Sequence, residues 1–134
     1  MKQRFTKTSG SISDVFAFVD ESLSVQNASP SAAYAVNLAV EELFTNMVKY
    51  SPGGRNEVTI DIEKDGDRLV VTLVDEDVEP FDMTSRGEAD TSKPLEERKV
   101  GGLGIHLVKQ MVDEFHYRYE NRSSIITITK RLEQ

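Results

Sequence analysis

Cysteine is absent from the 134-residue sequence, which excludes disulfide bonds, cysteine-ligated zinc sites and thiol catalysis. No apolar run approaches the length that spans a bilayer, and the N-terminal residues lack the apolar core of a signal peptide. Positive charge is also scarce, since 16 lysines and arginines stand against 23 aspartates and glutamates, for a net charge of −7. This balance argues against direct binding of nucleic acids or anionic membranes. We therefore expect a cytoplasmic protein that binds neither.

The remaining composition is that of a soluble globular protein, with 38% hydrophobic and 29% charged residues. The length suits a single core, and we expect residues 1–134 to form one domain. Strand-like alternation and helix-like spacing of apolar residues predict the element order β-α-α-β-β-loop-α-β-β. Helices on one face of a mixed, mostly antiparallel sheet would make a two-layer α/β sandwich of the α+β class.

Caps and turns predict the element boundaries. The predicted strands are Arg4–Thr8, Glu57–Glu63, Arg68–Asp75, Phe115–Glu120 and Ser124–Arg131. The first predicted helix follows a cap at Ser13 and ends near Ser22. The second follows a cap at Ser29, with Pro30 at its first position, and ends near Tyr50. The third follows a group of glycines and ends near Glu114. An irregular segment from Asp75 to Lys99 is long enough to indicate either a functional lid or a disordered loop.

Three glycines, Gly101, Gly102 and Gly104, lie directly before an amphipathic run. A glycine-rich turn that leads into a helix N-terminus presents unpaired N–H groups and the positive end of the helix dipole, which suits a phosphate. The stretch is neither a Walker A loop nor the dinucleotide-binding fingerprint. A flexible loop before an ordinary surface helix would have the same pattern, so the glycines alone leave both interpretations open.

Glu42 and Asn46 lie four residues apart on the predicted long helix and therefore share a face, with Lys49 close to it. The carboxylate suits a base or a water-positioning group, and the amide oxygen suits Mg²⁺. A solvated helix face would look the same. Asp75, Glu76 and Asp77 lie at the end of a predicted strand, where a carboxylate could accept a hydrogen bond from an adenine amino group, although an acidic loop would also begin in this way.

Taken together, three segments resemble the GHKL, or Bergerat-type, ATP-binding fold, in the subgroup of bacterial anti-sigma-factor serine/threonine kinases of the RsbW type. AVEELFTNMVKYSPGG resembles the family's N box, LVDEDVEPFDM its DxGxPFDP box, and PLEERKVGGLGIHLVKQMVDEFHYRY its lid end and second glycine box. The similarity extends from about Ala35 to the C-terminus, and the last segment is the most specific of the three.

The resemblance implies ATP and Mg²⁺ as ligands and gives each matching residue a role. Glu42 would be the catalytic base, Asn46 would bind Mg²⁺, and Gly102 and Gly104 would hold phosphates with neighbouring N–H groups. Arg98 and Lys99 would meet phosphate charge. The residues assigned to the nucleotide in this way are Asn46, Lys49, Asp75, Glu76, Phe81, Arg98, Gly101, Gly102, Leu103, Gly104 and Ile105.

The DxG part of the middle box departs from the family pattern in either of two registers. Counting back from Pro80-Phe81 places Glu76 at the adenine-binding Asp and Val78 at the Gly. Anchoring on the strand end instead places Asp75 and Asp77 there. A side chain at the glycine position would crowd the nucleotide pocket, so the departure bears directly on ATP binding.

The resemblance implies an ATP-dependent protein kinase that is also an anti-sigma factor in a partner-switching system. Its protein partners would be a sigma factor and an anti-sigma-factor antagonist that it phosphorylates on serine, and ATP and ADP would be its nucleotides. A homodimer is also expected from the family, with the strand Arg4–Thr8 as a place where two copies could pair. The alternative is a non-catalytic partner-binding module of the same fold with a degenerate nucleotide pocket, which the altered residues Asp75 to Val78 motivate.

Overall fold

The computed structural model describes residues 1–51, 54–80 and 100–133. Within these ranges the chain forms five strands, three α-helices and one short 3₁₀ helix. The strands are β1 (Lys2–Thr6), β2 (Glu57–Asp65), β3 (Arg68–Glu76), β4 (Glu114–Glu120) and β5 (Ser123–Arg131). The α-helices are α1 (Ile12–Val25), α2 (Pro30–Tyr50) and α3 (Val100–Met111), and the 3₁₀ helix is Ser9–Ser11.

The five strands form one sheet in the order β1-β2-β3-β5-β4. Each of the four neighbouring pairs is antiparallel. Along β3, Leu69, Val71, Leu73 and Asp75 are buried while the residues between them are half-buried, as expected for a strand with one face against helices. The register places Asp75 opposite Val58 on one side and opposite Ser124 on the other.

A hydrophobic core lies between the sheet and the helices of the described residues and confirms the predicted two-layer α+β architecture, with the one difference that all described strand pairs are antiparallel and the sheet is not mixed. Among its fully buried members are Val15, Val19, Leu43, Phe44, Met47, Ile60, Leu73, Ile105, Ile126 and Ile128. None of the helices in the described ranges has the length and apolar composition that crossing a membrane requires. The extent of the domain, residues 1–134, stays a prediction.

The start of α2 is as predicted, because Ser29 Oγ accepts a hydrogen bond from the N–H of Ala32 at 3.1 Å and Pro30 occupies the first helical position. The start of α1 differs from the prediction. The 3₁₀ turn Ser9–Ser11 continues directly into the helix at Ile12, so Ser13 lies inside the first turn and is not a cap. The helix also extends to Val25, beyond the predicted end near Ser22, and its last turns keep Leu23 in the core.

Two glycines with left-handed backbone provide a matched test of packing around β3. Gly54 has φ +64° and Gly66 has φ +65°, so both conformations disfavour a side chain. A Cβ on Gly66 would meet nothing within 4 Å, whereas one on Gly54 would lie 2.6 Å from the carbonyl oxygen of Glu76 and 2.7 Å from that of Asp77. Gly54 therefore allows close approach of two backbone segments.

We expect Gly66→Ala to lower the free energy of unfolding by about 1–2 kcal/mol, the cost of a left-handed non-glycine residue. Gly54→Ala should cost at least about 1 kcal/mol more, because overpacking is added to the same backbone penalty. Urea unfolding of both variants measures the difference. Equal destabilisation would contradict the close packing of Gly54 against the end of β3.

Candidate functional site

Glu42, halfway along α2, faces the first turns of α3. A Cβ on Gly104 would overlap the carboxyl carbon and Oε1 of Glu42 and would lie 2.6 Å from Oε2. The missing side chain of Gly104 is therefore what lets the Glu42 carboxylate lie against the helix backbone. Two residues predicted as functional from separate segments are brought into contact here.

Asn46 lies one turn after Glu42 and is buried, with 4% of its surface exposed. Its Nδ2 donates to the main-chain oxygen of Glu42 at 2.8 Å and to Glu42 Oε1 at 3.4 Å. Because a main-chain oxygen only accepts hydrogen bonds, the amide nitrogen has to face it, which leaves Oδ1 as the atom that can ligate a cation. An amide oxygen is a ligand that Mg²⁺ accepts, so this side chain fits the predicted role.

The pKa of Glu42 is raised above its ordinary value, chiefly because burial desolvates the carboxylate. The hydrogen bond from Asn46 opposes the shift, the negative charge of Glu41 adds to it, and the positive charge of Lys49 opposes it. Lys49 is exposed in the last turn of α2 and therefore acts on Glu42 through space. A carboxylate with a raised pKa is a better proton acceptor than a fully solvated one.

Asp75, the last core-facing residue of β3, has a side chain that is only 1% exposed and has partners on both oxygens. Lys7 Nζ, itself buried, donates to Oδ1 at 2.9 Å, and Ser51 Oγ donates to Oδ2 at 2.8 Å. Ser124, the cross-strand neighbour of Asp75 in β5, is 3% exposed, and its Oγ has no hydrogen-bond partner among the described residues. Asp75 thus lies in a buried polar cluster of four side chains.

The side chains of Glu76 and Ile105 lie apart from the polar groups of the predicted site. Glu76 follows Asp75 in the strand and so points to the opposite face of the sheet, where Arg55 pairs with it at 2.9 Å. Ile105 is 1% exposed and part of the hydrophobic core, and its predicted role in nucleotide binding stays a prediction. Of the two registers for the middle box, the structure favours Asp75 and Asp77, because Asp77 has φ +58°, the left-handed conformation that glycine adopts readily.

The glycine turn predicted before the third helix is wrong, because Gly101, Gly102 and Gly104 lie inside α3. The helix begins at Val100, so its first four N–H groups, which lack partners within the helix, belong to Val100 through Leu103. The backbone donors predicted for phosphate therefore coincide with the first helical turn.

Two predicted site residues, Phe81 and Arg98, lie outside the described residues, as do Lys99 and the side chain of Leu103.

Three residues of the Asp75 cluster, namely Lys7, Ser51 and Ser124, were not predicted from the sequence. A signal existed for Lys7, since it is two residues after Phe5 and the period of a strand places both on one face. Ser51 and Ser124 carry no such signal, because only the end of α2 and the register of β3 with β5 bring them to Asp75.

The Lys7–Asp75 pair predicts a strong asymmetry between single and double substitutions. Lys7→Met should lower the free energy of unfolding by about 3–5 kcal/mol, because it leaves a buried carboxylate without its counter-charge. Lys7→Met/Asp75→Asn should recover most of that loss in urea unfolding. Arg55→Met, which breaks the exposed pair with Glu76, is the control and should cost less than about 1 kcal/mol. A Lys7→Met cost no larger than the control would show that the pair is not buried.

The Glu42–Gly104 contact predicts a coupling between a glycine and a carboxylate pKa. In a helix, alanine is more favourable than glycine by about 1 kcal/mol, so Gly104→Ala would stabilise α3 if nothing opposed the methyl group. We expect it instead to displace the Glu42 carboxylate toward solvent and to lower the pKa of Glu42 toward its ordinary value. Carbon-13 NMR titration measures the change, with Glu42→Gln to assign the signal and Gly66→Ala as a control. An unchanged pKa in Gly104→Ala would contradict the contact.

Comparison with known proteins gives a consistent result. The profile of the histidine kinase-like ATPase domain family matches residues 5–130. The serine-protein kinase RsbW of Halalkalibacterium halodurans is 30% identical over 105 residues, which cover 74% of this chain and 62% of that protein. RsbW of Listeria monocytogenes is 29% identical over 97 residues, or 68% of this chain and 61% of that protein. The chain thus matches less than two thirds of the length of these curated relatives.

Solved structures show the same fold at low sequence identity. A structure of the RsbU and RsbW domains of Rv1364c from Mycobacterium tuberculosis has a TM-score of 0.66 at 16% identity and covers 100% of this chain and 33% of that chain. The SiaB–SiaC complex from Pseudomonas aeruginosa has a TM-score of 0.58 at 16% identity and covers 97% of this chain and 88% of that one. With the family profile spanning nearly the whole sequence, the protein belongs to the histidine kinase-like ATPase domain family.

Proposed function

We propose that the protein is an ATP-dependent serine/threonine kinase and anti-sigma factor that phosphorylates an anti-sigma-factor antagonist in a partner-switching system. The observation that carries the proposal is the convergence of Glu42, Asn46 and Gly104, since these residues come from two segments and meet between α2 and α3. The family membership and the RsbW relatives support the same function.

Each residue of this group has a task in phosphoryl transfer. Mg²⁺-ATP, when bound, would supply the phosphoryl group and neutralise part of the phosphate charge. Asn46 would hold the cation through Oδ1, and the N-terminal N–H groups of α3 would bind phosphate oxygens. Glu42 would accept the proton of the substrate hydroxyl as its oxygen attacks the γ-phosphorus, with ADP as the leaving group. Most of the catalytic effect would come from position and charge.

The base of the nucleotide would lie beside the buried cluster at the end of β3. A carboxylate has about four acceptor positions, so Asp75 can still accept a hydrogen bond from an adenine amino group after those from Lys7 and Ser51. The Ser124 hydroxyl, which has no hydrogen-bond partner within the described part of the chain, can bond a ring nitrogen of the same base, either directly or through water.

The protein partners in this proposal are a sigma factor and a small antagonist protein. The named function of the RsbW relatives supports a protein substrate, and the SiaB–SiaC structure contains a relative of this fold in a complex. A homodimer belongs to the same proposal, because β1 is an outer strand of the described sheet and has an edge at which a second copy could pair. We place the protein in the cytoplasm, where sigma factors act.

A specific observation favours a second candidate function, a partner-binding module without catalysis. Asp75 is already bonded by Lys7 and Ser51 and is almost fully enclosed. An adenine amino group would have to approach a carboxylate that a lysine ammonium neutralises, which weakens the attraction. In that case the fold would bind its protein partners without nucleotide.

Titration calorimetry with ATP and ADP, with and without Mg²⁺, separates the two functions. We expect saturable, Mg²⁺-dependent binding of ATP that Asn46→Ala weakens by about tenfold or more. Asn37→Ala is a matched control, because Asn37 makes the same bond to a main-chain oxygen four residues earlier, from Nδ2 to Ala33 at 3.0 Å, but lies outside the site. Glu42→Gln should keep ATP binding and lower phosphate transfer to an antagonist protein by about a hundredfold or more.

The same measurements also define failure. If wild-type protein does not bind Mg²⁺-ATP at millimolar concentration, the kinase proposal is wrong and the partner-binding module stands. If ATP binds but Glu42→Gln transfers phosphate as fast as wild type, Glu42 is not the base.

A further inference from the structure

We infer that Arg122, in the turn between β4 and β5, is a positioning residue of the nucleotide site. It would hold Asp77, which stands where the family's middle box has glycine, in its left-handed conformation and keep the Asp77 carboxylate out of the site. This inference rests on the proposed function, because the site in question is the proposed site for the nucleotide base next to Asp75.

Asp77 needs such support because its backbone is left-handed, with φ +58°. That conformation is costly for residues with a side chain, although aspartate and asparagine tolerate it better than most. The turn comes directly after β3 and two residues after Asp75. If it relaxed, the chain leaving β3 would take another path and the Asp77 carboxylate would be free to approach Asp75.

The β4–β5 turn contacts this segment through both main chain and side chains. The N–H of Val78 donates to the main-chain oxygen of Arg122 at 2.9 Å, and the hydroxyl of Tyr119 donates to the main-chain oxygen of Val78 at 2.6 Å. Arg122 Nε donates to Asp77 Oδ1 at 2.9 Å, and its guanidinium also lies 3.7 Å from Glu79. The side-chain bond directs the Asp77 carboxylate to the surface, where 59% of that side chain is exposed.

The turn that carries Arg122 is itself well defined. Asn121 and Arg122 both have positive φ, +50° and +59°, as in a two-residue hairpin turn between paired strands. From the other side, Gly54 lies close to the carbonyl groups of Glu76 and Asp77, and Val78 is buried with 4% exposed. The segment after β3 is therefore held between Gly54 and the β4–β5 turn. Arg122 adds a bond to the Asp77 side chain, which a glycine at position 77 could not form.

A four-variant cycle tests this coupling by calorimetry with Mg²⁺-ATP. Arg122→Ala should weaken binding by about fivefold, the upper range for an exposed ion pair. Asp77→Gly should bind at least as tightly as wild type, and Arg122→Ala should then have no further effect in the Asp77→Gly background. Arg118→Ala is the matched control, because Arg118, on β4, is exposed like Arg122 and pairs with a carboxylate, Glu120, at 3.4 Å. It should bind like wild type.

Two results would overturn the inference: Arg122→Ala binding like wild type, or the double variant binding as weakly as Arg122→Ala. Hydrogen exchange of the Val78 amide without nucleotide makes the test independent of ATP. Arg122→Ala should speed that exchange, and much less so in the Asp77→Gly background. If wild type and Asp77→Gly both fail to bind nucleotide, the proposed function fails, and the exchange cycle alone decides whether Arg122 holds Asp77.

Discussion

The buried ion pair between Lys7 and Asp75 is the constraint on which much of the structure depends. Both side chains are 1% exposed, so neither charge can be compensated by solvent. A buried pair contributes little net stability compared with apolar side chains, but once present it strongly disfavours any arrangement that separates its members. The pair therefore fixes the chain just after β1 against the end of β3, and Ser51 adds the end of α2 through the second oxygen of Asp75.

The same end of α2 determines where the other polar groups lie. Asn46 and Glu42 precede Ser51 by about one and a half and two and a half turns, and the approach of α3 at Gly104 encloses the Glu42 carboxylate between two helices. Partial burial then accounts for the raised pKa of Glu42, and the nearby charge of Lys49 limits the shift. The position of the proposed base and its proton affinity thus have one cause, the close packing of α3 on α2.

The sequence predicted best what local patterns determine. Three predicted features depend only on residues close together in the sequence, and the structure confirms them: the alternation along the strands, the cap at Ser29, and the helix that carries Glu42 and Asn46. The glycines of α3 predict a turn because glycine allows positive φ and close approach to a ligand, but at Gly104 the contact with Glu42 requires a residue without a side chain inside the helix. The links of Asp75 to Ser51 and Ser124, and of Asp77 to Arg122, depend on register and on separate elements, and no local pattern contains them.

Two features of the altered middle box bear separately on nucleotide binding, namely the missing glycine and the lysine beside Asp75. The missing glycine is a weak argument against nucleotide binding, because Asp77 already has the left-handed backbone and Arg122 binds its carboxylate at the surface. The lysine next to Asp75 is the stronger argument, because its positive charge offsets that of the carboxylate that would recognise the base. A side chain at the glycine position that leaves the backbone path unchanged is compatible with the same pocket, whereas a cation paired with the recognising carboxylate weakens its attraction for the base. Whether this chain is a kinase or a binding module thus depends more on Lys7 than on the lost glycine.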